Sequence, residues 1–306
     1  MEIDIDRLGD RSFWLERHPE FHITDVPNAS VSAATTDGSA HEAVRTSGYF
    51  EGRNVVDPAA CAALATAVEG LAADGIPTPF LFVYDEVWNL LRAAGGVLND
   101  VVGPNYLVGG DLWAWYVPPT AEGSGWAVHR DGNLGDAVRP DGSPDIVTAW
   151  IPLTEASPTN GCIYVLPVDR DPNVPDNLDV LEVGRRSLSS VRAVPASPGD
   201  VLGWSTRLLH WGGRSSNAAA TPRISFSIYC CRADAENYAD DFVPLDGAIP
   251  LHHRLGVICR ALLSYEQSGL SGTTLPEGVH DFAVGQRDRL AKWLAMTADL
   301  QRPAQS

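Results

Sequence analysis

Basic residues are scarce in this chain: 22 Lys and Arg stand against 39 Asp and Glu, a formal charge of −17. A field of that sign repels phosphate backbones and anionic headgroups, which argues against nucleic acid and membrane surfaces as partners. Cysteines are few as well: Cys61, Cys162, Cys230, Cys231 and Cys259. They include no CxxC pair, their number is odd, and two are adjacent. That pattern does not suit a disulfide framework, so all five are expected to be reduced, in a cytoplasmic protein. No uninterrupted apolar run is long enough to span a bilayer. The charged first twenty residues lack the apolar centre of a secretory signal. Internal repeats and convincing linkers are missing too.

What is present is enough apolar material, 44% of 306 residues, to fill a sizeable core. Residues 26–45 are rich in Ala, Ser, Thr, Asp and Gly and read as a surface segment or lid. Asp57-Pro58 suits a helix start. The spacing of Cys61, Leu64, Ala65, Val68, Leu71 and Ala72 then predicts one apolar helix face, closed by Gly75. A second helix is expected from the stripe Phe80, Val83, Tyr84, Val87, Trp88 and Leu91, ending at Gly95-Gly96.

From Asn105 the texture changes to short β-branched and aromatic segments parted by Pro, Gly, Asp and Asn. Eight are expected as strands: Tyr106–Val117, Gly125–His129, Ile146–Leu153, Cys162–Leu166, Ser190–Val194, Asp200–Trp204, Leu208–Gly212 and Arg223–Cys231. Eight strands without intervening helix fit a double-sheet jelly roll. The Pro- and Asp-rich stretch 167–186 is too long for a hairpin turn and reads as a loop at the barrel mouth. Helical spacing returns in Leu251, Leu255, Ile258 and Leu262, and again over Phe282–Leu294. The expected organisation is a single domain: an N-terminal segment with buttressing helices over 1–102, a jelly-roll core over 103–232, and C-terminal helices over 233–306.

The chemistry centres on His129 and Asp131. Two residues apart on extended chain, they face the same side while Arg130 turns away. His210 lies on a later strand-like segment. Two histidines and one carboxylate with open positions remaining describe a non-haem Fe(II) oxygenase site. Of the other histidines, His18, His22 and His41 lack partners at ligand spacing, and the adjacent His252 and His253 diverge on a helix. On the strand at Arg223, the residues Arg223, Ser225, Ser227 and Tyr229 share one face and Ile224, Phe226 and Ile228 the other. With the apolar face under helices, the polar face looks inward, and a buried arginine requires an anion. A dicarboxylate offers a planar partner for its fork, and Ser225 can add a hydroxyl donor. Two rival readings stay open: a cupin-like metal enzyme that does not use an oxo acid, and a non-catalytic ligand-binding barrel.

His129-Arg130-Asp131, His210 and Arg223 stand in an order that resembles the phytanoyl-CoA dioxygenase family of Fe(II)- and 2-oxoglutarate-dependent oxygenases. The stretch from Thr148 through Trp150 to Cys162 and on to Pro167, and Gly103-Pro104-Asn105, resemble it too, over roughly Gly103 to Arg232. The resemblance implies a double-stranded β-helix fold, with His129, Asp131 and His210 holding iron and Arg223 holding the distal carboxylate of 2-oxoglutarate. It further implies that Trp150, and Trp113 on the first barrel strand, line the cosubstrate site. The implied reaction consumes O2 and 2-oxoglutarate and gives succinate and CO2. The carboxylate of Asp131 stands where halogenating relatives have a small residue, which favours hydroxylation of a small molecule over halogenation and leaves desaturation or ring formation open to the same oxidant. Gly212 departs from the serine common two places after the second histidine, and the family's upstream lysine has no clear counterpart.

Overall fold

In the computed structural model, which describes residues 4–25, 38–120, 125–131, 138–174, 177, 183–235, 242–245, 247, 249–268 and 274–301, Asp57 caps a long helix as expected. Its side chain accepts from the Ala59 amide at 2.9 Å, satisfying one of the open N–H groups of the first turn. The helices are α1 (Arg11–Arg17), α2 (Ser39–Ser47), α3 (Pro58–Ala73), α4 (Asp85–Ala93), α5 (Gly95–Val102), α6 (Arg185–Leu188), α7 (Leu251–Ser268) and α8 (Val279–Gln301). The strands are β1 (Tyr49–Gly52), β2 (Leu107–Val117), β3 (Ile146–Pro152), β4 (Ile163–Leu166), β5 (Arg192–Val194), β6 (Val201–Ser205), β7 (Leu209–Gly212), β8 (Arg223–Cys231) and β9 (Phe242–Pro244).

All strand pairing is antiparallel, in two sheets. Six strands run in the order β1-β6-β3-β8-β2-β9, and three in the order β5-β4-β7. The fold is therefore mainly antiparallel β with flanking helices, of jelly-roll type, although among the described residues the two sheets do not join into a closed barrel. One apolar core runs through the large sheet and its helices. Ile224, Phe226 and Ile228 are buried on the helix side of β8, where Phe82 meets Phe226 edge-on at 5.6 Å. The opposite face of β8 carries Arg223, Ser225, Ser227 and Tyr229, which meet Trp126, Trp115 and the Asp131 carbonyl. Seven of the eight expected strands form, each within two residues of its anticipated bounds.

Four expectations need correction. Gly125–His129 is no strand: His129 makes a single bridge to His210 and the rest is irregular. The helix expected from Phe80 to Leu91 is broken. Thr78–Val83 forms a 3-10 segment, Tyr84 is extended (φ −87°, ψ 142°), and α4 begins at Asp85. Phe80 through Tyr84 are all fully buried, so they fill the core from every side and need no helical stripe. Gly95-Gly96 opens α5 instead of closing a helix. The segment expected to be a surface lid at 26–45 contains α2, which buries Ala40 and Val44; residues 26–37 lie outside the described part. β1 and β9 pair at the edges of the large sheet and were not anticipated, being only four and three residues long.

The break at Tyr84 is fixed by charge. Asp85 accepts from Thr24 Oγ1 at 2.7 Å and from the Thr24 amide at 3.1 Å, and meets the Arg254 guanidinium at 2.6 Å. Arg254 also donates to the carbonyls of Ile249, Val83 and Thr24. This buried pair ties α7 to the start of α4 and sets α7 against β2.

Candidate active site

The two imidazoles meet because the backbone makes them meet. His129 and His210 exchange both main-chain hydrogen bonds, each at 3.0 Å, as one antiparallel bridge. Residues opposed in this way present their side chains on the same side of the pair, and the ring centroids lie 4.4 Å apart. Asp131, two residues on, brings Oδ1 to 3.2 Å from His129 Nε2 and 3.4 Å from His210 Nε2. One ligand atom from each residue falls within 4.8 Å of the other two.

Every remaining polar atom of the three is engaged elsewhere. His129 Nδ1 bonds the Ala127 carbonyl at 2.8 Å and His210 Nδ1 the Leu208 carbonyl at 3.1 Å. A carbonyl only accepts, so Nδ1 carries the proton in both rings and Nε2 keeps its lone pair for the shared centre. Asp131 Oδ2 accepts from Thr148 Oγ1 on β3 and from Trp204 Nε1 on β6, the latter at 2.7 Å. Oδ1 alone is left facing the histidines. Burial raises the Asp131 carboxyl, but the two imidazoles and Thr148 outweigh it and hold the group well below the usual carboxylate range. Burial pulls His210 down to about 4. Burial also pulls on His129, yet its hydrogen bond and charge contact with Asp131 prevail and leave it raised. Two neutral-donor imidazoles and an ionised carboxylate form the donor set that a divalent metal such as Fe(II) takes. The His129 side chain is 20% exposed and that of His210 1%, so the cluster is open on the His129 side.

Arg130, between the two, turns the other way. It donates to the buried Asp171 carboxylate at 2.7 Å and to the Arg207 carbonyl. The stretch 167–186, expected as a mouth loop, thereby contributes an anchor for the ligand segment.

Arg223 is fully buried at the start of β8. Nη1 donates to Ser225 Oγ at 3.0 Å, whereas Nε and Nη2 have no partner. Burial lowers its pKa to about 10, which leaves it protonated at neutral pH. A buried guanidinium with two unanswered donors fits a carboxylate ligand. Its Cζ lies 5.5 Å from the Trp126 ring centroid, and Trp126 in turn lies 6.4 Å from His129 and 6.3 Å from His210. The departure at Gly212 has a steric reason here. A Cβ on Gly212 would meet Gly125 Cα at 3.0 Å, and one on Gly125 would meet Gly212 Cα at 2.8 Å and Arg223 Nη2 at 2.9 Å. The two backbones pack too closely beside the arginine for any side chain.

A cavity of about 230 Å³ opens beside the cluster. Its walls include the three residues above, Trp115, Trp126, Tyr229, Tyr265 and Asp111. Trp150 and Trp113 sit opposite Ser227 in register, on the inward face, but not in that wall. Trp150 is fully buried with Nε1 unpartnered, and Trp113 stacks on Tyr265 at 4.0 Å. Sequence reasoning missed Thr148 and Trp204. Thr148 is two residues from Trp150, on the same strand face, and period-two alternation could have found it. Asp111 and Tyr265 gave no such signal: one lies in a strand irregularity and the other on a distant helix.

Among known proteins, the phytanoyl-CoA dioxygenase family profile matches residues 85–224. That span starts at α4 and closes just past Arg223. No curated protein matches the chain. Solved structures do. The non-haem monooxygenase ThoJ without metal aligns with a TM-score of 0.55 at 16% identity, over 86% of this chain and all of the other (100%). Its nickel complex aligns at 0.52 and 16%, over 83% and 99%. The non-haem alpha-ketoglutarate-dependent carbocyclase SnoK from nogalamycin biosynthesis aligns at 0.50 and 18%, over 67% and 88%. At these identities the likeness is one of fold.

Proposed function

We propose that this chain, whose residues 85–224 match the phytanoyl-CoA dioxygenase family profile, is an oxygenase that uses Fe(II), 2-oxoglutarate and O2 to hydroxylate an unactivated C–H bond of a small molecule, in a single oxygenase domain. In this reading His129 Nε2, His210 Nε2 and Asp131 Oδ1 hold the iron. Arg223 takes the far carboxylate of 2-oxoglutarate through Nε and Nη2, and Ser225 Oγ keeps the guanidinium turned toward it. Trp150 and Trp113 back this pocket from the inward face of the large sheet. Iron held there would supply the oxidising power for a reaction in which 2-oxoglutarate and O2 give succinate and CO2 and one oxygen atom passes to the substrate.

The chain's own residues do the rest. The Ala127 and Leu208 carbonyls fix the imidazole orientation, and Thr148 and Trp204 fix that of the carboxylate. The aromatic wall excludes water from the reacting centre. Asp131 fills the place a halide would need, which supports hydroxylation over halogenation. The single observation carrying the reading is the Arg223 guanidinium, sealed from solvent with two unanswered donors and packed on Trp126, whose ring also lies near the two histidines of the three-residue metal-donor cluster. A cupin-like enzyme without an oxo acid would leave those donors unexplained, and the intact three-residue donor set counts against a non-catalytic ligand-binding barrel. Five free, buried cysteines support a reducing, cytoplasmic setting.

The test is anaerobic addition of Fe(II) and 2-oxoglutarate, watching for the weak visible charge-transfer band of the chelate, followed by succinate release under air with a metabolite panel. Metal uptake without the band would favour the cupin-like reading, and no metal uptake the inactive barrel.

A further inference from the structure

One carboxylate in the cavity has no task in the reaction described above. The register of β2 on β8 breaks between Gly109 and Leu112, so Gly110 and Asp111 have no residues opposite them. Irregularities of this kind re-aim a side chain that regular pleating would send elsewhere. Here it sets Asp111 into the cavity wall that also carries the His129, Asp131 and His210 cluster. Asp111 Oδ2 accepts from the Tyr265 hydroxyl at 3.3 Å, a long contact; Oδ1 is sealed from water and bonded to nothing. Arg260 of α7 draws on Asp111 electrostatically but does not bond Oδ1. A basic side chain in the same wall, Arg130, has its guanidinium on Asp171. Burial, with the Asp131 charge nearby, pushes the Asp111 carboxyl up to about 7 against the pull of Tyr265, the Leu112 amide and Arg260, so Oδ1 is an acceptor whose ionised form is costly until a cationic ligand answers it.

The surroundings narrow the ligand. Trp115 and Trp126 lie 4.4 Å apart, and Tyr265 is held against Trp113 and Trp115, so aromatic faces flank the carboxylate. Aromatic faces with a carboxylate are the environment that attracts organic cations, and the overall charge of −17 steers them inward. Resting on the oxygenase reading, we propose that Asp111 is the recognition point for a basic nitrogen on the substrate. An ammonium donates to Oδ1, Tyr265 steadies Oδ2, and Trp115 and Trp126 cover the hydrocarbon next to the nitrogen. The amine end bound there points the rest of the molecule toward the metal cluster.

The experiment uses the full chain loaded with Fe(II) and 2-oxoglutarate without oxygen. Matched probes are compared: phenethylamine with 2-phenylethanol, and cyclohexylmethylamine with cyclohexylmethanol. Quenching of tryptophan fluorescence reads occupancy, since Trp115 and Trp126 line the cavity. The expected result is binding of each amine about tenfold or more tighter than its alcohol, as a buried charge-assisted bond would give. Asp111→Asn should shrink that preference to within about twofold while the charge-transfer band of the chelate is retained. Equal binding of amine and alcohol by the wild type, binding of neither, or an unchanged preference in Asp111→Asn overturns the proposal. The wild-type comparison needs no variant, so a misfolded Asp111→Asn does not blunt the test. A wild type that shows no chelate band at all would instead sink the oxygenase reading.

Discussion

Replacing Arg223 with methionine should strengthen the empty protein and cripple its hold on 2-oxoglutarate. In the free state the guanidinium is fully buried, with one hydrogen bond to Ser225 and two donors unanswered. Its pKa, lowered by burial to about 10, registers the cost of that charge. Methionine fills similar space with an unbranched apolar chain. Exchanging buried ionic groups for apolar ones of like volume is neutral or stabilising by about 1–4 kcal/mol. The freed Ser225 hydroxyl takes back about 1 kcal/mol, so the empty variant should melt at or above the wild type. The bound state loses two charge-assisted bonds, each about 1.5–3 kcal/mol. Together they amount to about 3–6 kcal/mol, a fall of about 10²- to 10⁴-fold in 2-oxoglutarate affinity. Thermal melts with and without 2-oxoglutarate, and anaerobic titration of the chelate band, measure both sides. A variant that melts well below the wild type without ligand, loses under tenfold in 2-oxoglutarate affinity, or loses metal affinity in parallel would refute the reasoning.

Thr148→Val and Trp204→Phe each strip one donor from Asp131 Oδ2, and each should lower metal affinity about 10- to 100-fold in a competition titration; an unchanged affinity would show that Oδ2 needs no anchor. At pH values below the raised His129 pKa, metal binding should release one proton, not two. His129 is raised while His210 is already neutral down to about 4 and Asp131 ionised lower still. Because the folded His129 value lies above the free one, the stability that its proton gives the metal-free protein is full below the ordinary histidine value and lost as pH rises through the raised one. Proton counting in buffers of different ionisation enthalpy checks this, and a two-proton slope would contradict it. Gly125→Ala puts a Cβ 2.9 Å from Arg223 Nη2 and should weaken 2-oxoglutarate binding together with the melting temperature. Asp85→Ala leaves the buried Arg254 guanidinium without its carboxylate and should cost about 3–5 kcal/mol in denaturant unfolding.

Part of the site could be read from spacing. Arg223 and Ser225 differ by two on β8, and two is the period of extended chain; His129 and Asp131 differ by two as well, although they lie outside any strand and only the single bridge at His129 fixes them. The same period placed Ile224, Phe226 and Ile228 under the helices. What spacing could not convey was the meeting of distant segments. Trp204 reaches Asp131 across 73 residues and Tyr265 reaches Asp111 across 154, and neither is visible without the register of the large sheet. Tyr84 failed for another reason. Its neighbours are apolar in every direction because they are buried in every direction, so the run carried no period to distinguish helix from turn. Residues 125–129 look like a strand by composition, yet only His129 forms a bridge, and Gly125 makes a single main-chain bond to Gly213.

The paired amides and carbonyls joining His129 to His210 settle what happens when the metal leaves. Two of the three donor side chains are pinned by main-chain bonds that owe nothing to the ion, and the third is clasped from behind by threonine and indole. An emptied protein of this design keeps its socket in shape, so a fresh ion can be taken up after an oxidised one is lost without any refolding of the chain around it.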